Sequence, residues 1–260
     1  METFQILLRS SRIRNHEEAE DLVQSYLAAL WKNGQILGDT PTARIRGGYR
    51  VFVNVPRADA LERRRSNRWV RRAARRLVAA GFRAPLFRRL GPEPESRLPC
   101  ACRRHSYFVL FANFLSDESP VRCGDCFGPV PLYTLPATGE AGDFHDVLNW
   151  QSTYQAMDWL FIGSGVGEHY GHRQMSDCRS ALSREGRELA TSLEKKTRRP
   201  VYYYLMRHFR SSGAGERRRR CPSCKRTWAL AAPLHRIFDF RCHRCRLLSN
   251  VAFDVRVSAA

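Results

Sequence analysis

Four cysteines near the end of the sequence have the spacing of a tetrahedral metal site. Cys221 and Cys224 form one Cys-x-x-Cys pair, Cys242 and Cys245 form another, and 17 residues separate the two pairs. Zinc prefers four tetrahedral thiolate ligands, and each Cys-x-x-Cys turn supplies two of them. Because four thiolates leave no position for water, an ion held there would be structural rather than catalytic. The spacing predicts a zinc ribbon with hairpin strands at 226–230 and 236–241.

A second set of cysteines lies upstream, and its members are Cys100, Cys102, Cys123 and Cys126. The run at 107–115 is apolar and β-prone, as the hairpin of another ribbon should be. Cys-x-Cys is a less common half-site, so two alternatives stay open: His105 replaces one cysteine, or the cysteines are buried without a metal. We predict one zinc ion at the C-terminal set and a second at this set. Cys178 is left over as a free thiol.

The cysteines also bear on the compartment. The first nine residues have an acid at position 2 and a short apolar run, which is not the pattern of a signal peptide. No segment approaches the roughly 18 consecutive apolar residues that a membrane helix needs. Paired Cys-x-x-Cys turns in such a sequence are typical of metal sites in a reducing compartment. We therefore expect a cytoplasmic protein that does not contact membranes.

The charge of the chain points to a polyanionic partner. The sequence contains 44 Lys and Arg against 25 Asp and Glu, a formal net charge of +19. Residues 57–90 contain 12 arginines and two acids, and residues 216–246 contain ten basic residues and two acids. Such an excess attracts polyanions over long range, and phosphate backbones are the most abundant candidates. An ordinary solvated surface is the alternative interpretation of these charge runs.

Two groups of basic side chains are the candidate nucleic-acid contacts. The first is a row at steps of four, three and four on a helix predicted over 59–80, on a different face from the apolar residues. Such a row can follow a phosphate backbone. The second group surrounds the first Cys-x-x-Cys pair of the ribbon. The predicted contacts are Arg64, Arg68, Arg71, Arg75, Arg217, Arg218, Arg219, Arg220, Lys225 and Arg226.

The N-terminal segment has the element order β-α-β-β-α-β. We predict a strand at 3–9, and a helix that Asn15 caps and that stops at Gly34. A hairpin follows, with strands at 42–46 and 49–55 around a Gly-Gly pair, and then the helix at 59–80 and a strand at 86–90. This order suits a ferredoxin-like sandwich, with two helices on one face of an antiparallel sheet. The predicted fold class is α+β.

The remaining sequence divides at composition changes, because a Pro-rich stretch at 91–96 marks a boundary. We predict three domains: a ferredoxin-like domain at 1–92, a middle domain at 97–210 and the ribbon at 216–260. The middle domain would hold the first ribbon at 97–136, helices at 143–161 and 183–196, and a β-prone strand at 201–206. A flexible link at 211–215 would join it to the C-terminal ribbon.

The segment 163–172 (GSGVGEHYGH) is the candidate for catalysis. Glu168 with His169 or His172 could exchange protons with a substrate, and glycines allow close approach to phosphates. However, no lysine follows in P-loop spacing, and three glycines more often form a tight connection. The sequence also contains no HExxH or GxSxG motif. We therefore expect a protein that is not an enzyme.

Taken together, these motifs resemble an uncharacterised family of bacterial, mainly proteobacterial, zinc-ribbon proteins for which nucleic-acid binding is a proposed role. The residues that carry the resemblance are 123–136 (CGDCFGPVPLYTLP), 165–168 with 176–177, 180–186 (SALSREG), 200–205 (PVYYYL), 219–224 and 238–250 (FDFRCHRCRLLSN). The resemblance covers most of 98–250 and implies that the middle segment and the ribbon form one unit. The family tends to have glycine after a Cys-x-x-Cys or Cys-x-Cys turn, where this chain has Arg103, Lys225 and Arg246.

The sequence thus predicts a non-enzymatic zinc-ribbon protein that binds RNA or DNA through its Arg-rich surfaces. The alternative is a protein-interaction partner, an antidote or adaptor that recognises an acidic protein surface, because the same charge would steer association with such a surface.

Overall fold

The computed structural model describes residues 1–10, 15–209 and 215–253, which form two compact units. The first unit contains 1–101, 117–119 and 128–145, and the second contains 102–116, 120–127 and the chain from 146 onwards. Both units mix helices and strands, so the α+β class is confirmed. The predicted link lies outside the described residues apart from Gly215. The predicted three-domain division stays a prediction.

The first unit has the predicted order of elements: β1 (Glu2–Arg9), α1 (His16–Lys32), β2 (Thr42–Ile45), β3 (Gly48–Val55), α2 (Arg68–Ala79) and β4 (Leu86–Pro92). The strands form one antiparallel sheet in the order β2-β3-β1-β4. Alternate residues of β1, such as Ile6 and Leu8, are fully buried with Val23 and Leu27 of α1 and Leu77 of α2. The hydrophobic core therefore lies between one face of the sheet and both helices.

Local signals set the ends of α1 and the first hairpin. The side chain of Asn15 accepts a hydrogen bond from the backbone N–H of Glu17 at 3.0 Å, which confirms the predicted cap. Gly34 has φ +68° just beyond the helix, a conformation that favours glycine. A Cβ on Gly48 would lie 1.9 Å from the carbonyl oxygen of Leu8, so no side chain fits where β3 passes β1. The predicted Gly-Gly hairpin is therefore required by packing as well as by the turn.

The second helix is shorter than predicted. It begins at Arg68 because the side chain of Asn67 accepts hydrogen bonds from the backbone N–H groups of Trp69 and Val70, both at 3.0 Å. The preceding residues 63–65 form an isolated 3-10 turn. The prediction that Arg64 and Arg68 share a helix face is therefore wrong. The helix begins later than predicted because Asn67 caps it, and the run of arginines around Asn67 suggested a longer helix.

The second unit contains β5 (Phe108–Leu110), β6 (Val121–Cys123), α3 (His145–Gly163), α4 (Glu168–Ser176), α5 (Ala181–Thr197), β7 (Val201–Leu205), β8 (Ala229–Leu234), β9 (Phe238–Cys242) and β10 (Leu247–Ser249). These strands form one sheet in the order β6-β5-β7-β10-β9-β8. The central strand β7 pairs in parallel with both β5 and β10. One continuous sheet therefore includes strands from both cysteine-rich segments.

The three consecutive tyrosines of β7 are buried and belong to the core of the second unit. Tyr203 faces α5, because a Cβ on Gly186 would lie 2.3 Å from its ring. Tyr204 is on the other face of the strand and packs on Phe111 and Phe238, with ring centroids 5.1 and 5.3 Å away. The glycine of the SALSREG motif thus allows α5 to approach the central strand.

The segment predicted as a Gly-rich connection is partly helical. Residues 164–167 form the connection, and α4 then runs from Glu168 to Ser176. Gly171 lies inside α4, where a Cβ would lie 2.4 Å from the carbonyl oxygen of Met157 in α3. Its role is therefore close helix packing. Among the described residues, no helix is both long enough and apolar enough to cross a membrane.

Candidate metal centres and basic surfaces

The four C-terminal cysteines converge at one point of the second unit. Their sulfur atoms all lie within 4.8 Å of one another, and the Sγ atoms of Cys224 and Cys242 are 3.6 Å apart. The first pair precedes β8, whereas Cys242 ends β9 and Cys245 lies in the turn before β10. All nine cysteines of the chain are free of disulfide bonds. The predicted ligands are thus brought together as a cluster that could hold a metal ion.

The backbone of each turn is arranged around the sulfur atoms. Lys225 donates its backbone N–H to the carbonyl of Cys221, and Cys221 donates to the carbonyl of Arg226, both at 2.9 Å. In the second turn the N–H of Cys245 points at the Sγ of Cys242, at 3.4 Å. Backbone N–H groups that point at sulfur atoms stabilise thiolates and hold them in position as metal ligands. The hairpin strands begin later than predicted because these turns use residues up to Arg226.

Three residues with positive φ mark a shared turn geometry. Phe127, Lys225 and Arg246 have φ of 60°, 61° and 52°, and each immediately follows the second cysteine of a Cys-x-x-Cys pair. Left-handed backbone is uncommon for residues other than glycine. All three Cys-x-x-Cys turns therefore end in the same conformation. Glycine would adopt this conformation at no steric cost, and Lys225 and Arg246 keep the turn despite their side chains.

The local environment separates the acidities of the C-terminal thiols. The backbone N–H of Arg226 lowers the pKa of Cys224 to about 7. Burial instead raises the pKa of Cys221 and of Cys242. Buried thiolates gathered at one point require a cation to be ionised together. The cluster therefore has ligands that a metal would deprotonate.

The upstream set also forms a cluster. The Sγ atoms of Cys100, Cys102, Cys123 and Cys126 lie within 4.8 Å of one another. Phe127 donates its backbone N–H to the carbonyl of Cys123 at 2.9 Å, the same bond that Lys225 makes in the other site. Two tetra-cysteine clusters that could hold metal are therefore present, as the spacing predicted.

Two further potential ligands adjoin the upstream cluster. The Nδ1 atom of His105 lies 3.3 Å from the Sγ of Cys123, and Asp125 completes an overlapping group with these two. Burial lowers the pKa of His105, which favours the neutral, ligand-competent imidazole. However, the carboxylate of Asp125 accepts the backbone N–H of Ser106 at 2.9 Å. His105, which the sequence identified as an alternative ligand, therefore lies close enough to Cys123 to share a metal ion with it.

Arginines dominate the exposed surface of α2 in the first unit. Five of its twelve residues are arginine and none is acidic. Arg68, Arg71 and Arg75 line one groove of about 690 Å³, together with Arg63. The floor of this groove is apolar and includes Val70, Val78 and Phe87, and no acidic residue lines it.

Arg64 is occupied elsewhere in the first unit. Its guanidinium forms ion pairs with Glu62 and with Asp59, the latter at 3.5 Å. It also does not line the α2 groove. Three of the four arginines predicted as one row are therefore brought together, and the fourth is not.

The basic residues around Cys221 divide into two kinds. Arg217, Arg218, Arg220, Lys225 and Arg226 are exposed. Arg219 instead points inward and donates to Ser249 Oγ and to the Asn250 carbonyl, both at 2.7 Å. It also forms an ion pair with the buried Glu216 at 2.9 Å, and burial lowers the pKa of Arg219 to about 10. Its contacts join the segment before Cys221 to the last residue of β10 and to Asn250.

A second basic groove was missed by the sequence reasoning. It has a volume of about 960 Å³ and lies between α5 and the two C-terminal Cys-x-x-Cys turns. The cations that line it include Arg184, Arg187, Lys195 and Arg244, alongside Glu188 and Glu194. The spacing of the basic residues along α5 was the available signal, but interspersed acids made that helix resemble an ordinary solvated face. Only its packing beside the cysteine turns creates the groove.

Glu168 and His169 occupy the first turn of α4. Neighbouring residues on a helix do not face each other, so Glu168 and His169 do not form an acid–base pair. The ring of His169 lies against Phe209, with centroids 6.0 Å apart. His172 is more buried: it accepts the backbone N–H of His208 at 3.3 Å, and desolvation lowers its pKa to about 4. The absence of enzymatic activity stays a prediction.

Three family models match this chain, each described as a domain of unknown function. They cover residues 1–91 (DUF8589), 102–206 (DUF2310) and 210–255 (DUF8594). An "Uncharacterized protein" of Haemophilus influenzae is 32% identical over 252 residues, which is 95% of this chain and 96% of that protein. The chain belongs to the same family as this bacterial protein.

A second family relative is shorter. This other "Uncharacterized protein" of H. influenzae is 38% identical over 146 residues, covering 56% of this chain and 71% of its own length. No solved structure is significantly similar to the chain. The expected membership of an uncharacterised bacterial family is confirmed.

Proposed function

We propose that this protein is a zinc-stabilised nucleic-acid-binding protein without enzymatic activity, and that it acts in the cytoplasm. The zinc, the nucleic-acid binding and the cytoplasmic location are supported by different observations: the sulfur geometry, the arginines of α2 and the free thiols. Because thiolate clusters persist in a reducing compartment, nine free cysteines favour the cytoplasm.

The sulfur geometry fits zinc. Four thiolates at about 2.3 Å from a tetrahedral ion lie about 3.8 Å from one another. The Sγ atoms of Cys224 and Cys242 are 3.6 Å apart, and the members of both clusters lie within 4.8 Å. Four sulfur ligands per cluster favour zinc over harder ions such as Mg²⁺, which prefer oxygen. We assign one zinc ion to each cluster and interpret each as a ribbon whose ion ties two turns together.

The first unit supports an assignment to the ferredoxin-like class. Its antiparallel order β2-β3-β1-β4, with α1 and α2 packed on one face, is the arrangement that the β-α-β-β-α-β sequence pattern suggested. In this interpretation both helices of the first unit lie on one face of the sheet, and α2 presents its arginines beside β4.

The observation that carries nucleic-acid binding is the convergence of Arg68, Arg71 and Arg75 on one groove that no acidic residue lines. Arg71 and Arg75 have no ion-pair partner among the described residues, so their charge is available to a ligand. Guanidinium groups bind phosphate oxygens with charge-assisted hydrogen bonds. In the second unit, the exposed Arg217, Arg218, Arg220, Lys225 and Arg226 would supply a separate set of phosphate contacts.

Salt dependence tests this proposal. Binding of a labelled mixed-sequence oligonucleotide should weaken steeply with added salt, because each neutralised phosphate releases counterions. The double variant Arg71→Gln, Arg75→Gln should lower the slope of log K against log salt by about two. Arg64→Gln removes a charge that is already paired with acids, so it should leave the slope near the wild-type value. Absence of binding at low salt, or equal slopes for all three proteins, would refute the proposal.

A second candidate function is recognition of an acidic protein surface. The apolar floor of the α2 groove favours it, because a peptide with apolar and acidic side chains would fill the groove more fully than phosphates. Purification of the native protein at low salt distinguishes the two. Nucleic acid that copurifies and is displaced by salt supports our proposal, whereas one stoichiometric acidic protein supports the alternative.

A further inference from the structure

The face of the four-stranded sheet opposite the helices carries a row of side chains that the proposed function does not use. Residues paired across neighbouring strands project from the same face of a sheet. The register pairs Phe52 of β3 with Gln5 of β1, and Gln5 with Arg88 of β4. These residues alternate with Phe4 and Ile6, which point into the core. They therefore form one row across three strands on the outer face.

Two more rows complete this face. Arg50 pairs with Leu7, and Leu7 pairs with Leu86. On the other side, the hydroxyl of Thr3 donates to Asn54 Oδ1 at 3.0 Å, as expected for two side chains on one face. The outer face thus places an aromatic ring between polar and cationic neighbours. We call the set Phe52, Gln5, Arg88, Arg50, Leu7, Leu86, Thr3 and Asn54 the outer sheet face.

Exposure and charge indicate what the outer sheet face could bind. Phe52 is 38% exposed and Leu86 is 58% exposed, and Arg50 and Arg88 are also exposed. The four strands contain one acidic residue, Glu2, which is ion-paired with Arg89 at 2.8 Å and alternates with the outer-face positions. Accessible apolar surface is therefore combined here with positive charge that no acidic residue of the four strands faces.

We propose that the outer sheet face binds single-stranded nucleic acid, with one unpaired base stacked on Phe52 and flanking phosphates at Arg50 and Arg88. Strands lie about 5 Å apart and alternate residues on a strand about 7 Å apart, so the Cα atoms of Arg50 and Arg88 are about 7 and about 10 Å from that of Phe52. An unpaired base has a free π-face for an aromatic side chain, whereas the bases of a duplex are already stacked. This inference rests on the proposed nucleic-acid binding and specifies its substrate as single-stranded.

Fluorescence anisotropy with a mixed-sequence oligonucleotide, single-stranded and as a duplex, tests the inference on the full-length protein. Phe52→Ala should weaken single-strand binding by about five- to a hundredfold and leave duplex binding unchanged. Phe52→Tyr keeps a ring face and should bind like the wild type. Tyr170→Ala removes an aromatic that is 51% exposed on α4, so it is the matched control and should have no effect.

Photo-crosslinking supplies a second measurement that a folding defect would not imitate. An oligonucleotide with 5-iodouridine at one position should crosslink to the peptide that contains Phe52, and mass spectrometry would identify the site. A crosslink confined to peptides of α2 or of the C-terminal segment would overturn the inference.

The outcomes also separate this inference from the proposed function. If the wild type binds neither single strands nor duplex at low salt, the proposed function fails, and the inference fails with it. If single strands bind with equal affinity to wild type and Phe52→Ala, or if the duplex is preferred, only the sheet-face inference is overturned. Thermal melting of Phe52→Ala and Phe52→Tyr checks that both variants are folded.

Discussion

The imidazole of His235 contacts the backbone of Gly124, with 2.7 Å between Nε2 and the carbonyl oxygen. Gly124 lies inside the Cys123–Cys126 turn of the upstream cluster, and His235 lies in the turn between β8 and β9 of the C-terminal hairpin. Its ring also stacks on Phe127 with centroids 5.2 Å apart. The carbonyl can only accept, so Nε2 carries the proton. The tip of one cysteine-rich hairpin is therefore held against the turn of the other.

The first prediction concerns this contact. His235→Ala should lower the free energy of unfolding by about 1–2 kcal/mol, because a hydrogen bond and a ring stack are lost. Urea denaturation monitored by circular dichroism measures the change. His169→Ala, at a more exposed histidine of α4, is the control. A destabilisation of equal size in both variants would argue against a specific role for the His235–Gly124 contact.

The second prediction concerns the metal content. Elemental analysis of the purified protein should give about two zinc ions per chain, and Cys221→Ser or Cys123→Ser should each reduce the content to about one, because each removes one ligand of a four-sulfur site. Cys178→Ser should leave the content at two, since Cys178 belongs to neither cluster. One zinc ion in the wild type would rule out the upstream site.

The third prediction separates Arg219 from its neighbours. Arg219→Ala should destabilise the protein by about 3 kcal/mol, because it leaves the buried carboxylate of Glu216 with one ion-pair partner fewer. Arg218→Ala should leave stability near the wild-type value and instead weaken oligonucleotide binding. Denaturation and anisotropy of both variants measure the two effects. The reverse pattern would place Arg219 on the binding surface.

The fourth prediction tests the left-handed turn residue Lys225. Glycine adopts positive φ without the steric cost that a lysine bears, but loses more entropy on folding. Lys225→Gly should therefore stabilise the zinc-loaded protein by up to about 1 kcal/mol. Arg226→Gly is the control, because Arg226 has no positive φ and gains nothing from glycine. Thermal melting of both variants would contradict the idea if Arg226→Gly were the more stable one.

Features that depend on neighbouring residues could be predicted from the sequence. The two cysteine sets were identified from their spacing. A Cys-x-x-Cys turn brings two sulfur atoms close together within four residues, and two such turns are typical of a metal site. The Asn15 cap and the β-α-β-β-α-β order followed from capping chemistry and hydrophobic periodicity for the same reason. The start of α2 was also a local signal, at Ser66 and Asn67, but the surrounding arginines suggested a longer helix.

Features that depend on distant residues were decided only by the tertiary structure. The parallel pairing of β7 with both β5 and β10 joins segments that are far apart in sequence, and no local pattern encodes such a register. Arg219 and Arg218 cannot be distinguished in the sequence, yet Arg219 points inward because it forms an ion pair with the buried Glu216. The groove beside α5 and the row across Phe52, Gln5 and Arg88 likewise exist because separate elements pack side by side. The sequence by itself determined the cysteine ligands and the positive charge. The packing of the elements determined which of the basic side chains stay exposed.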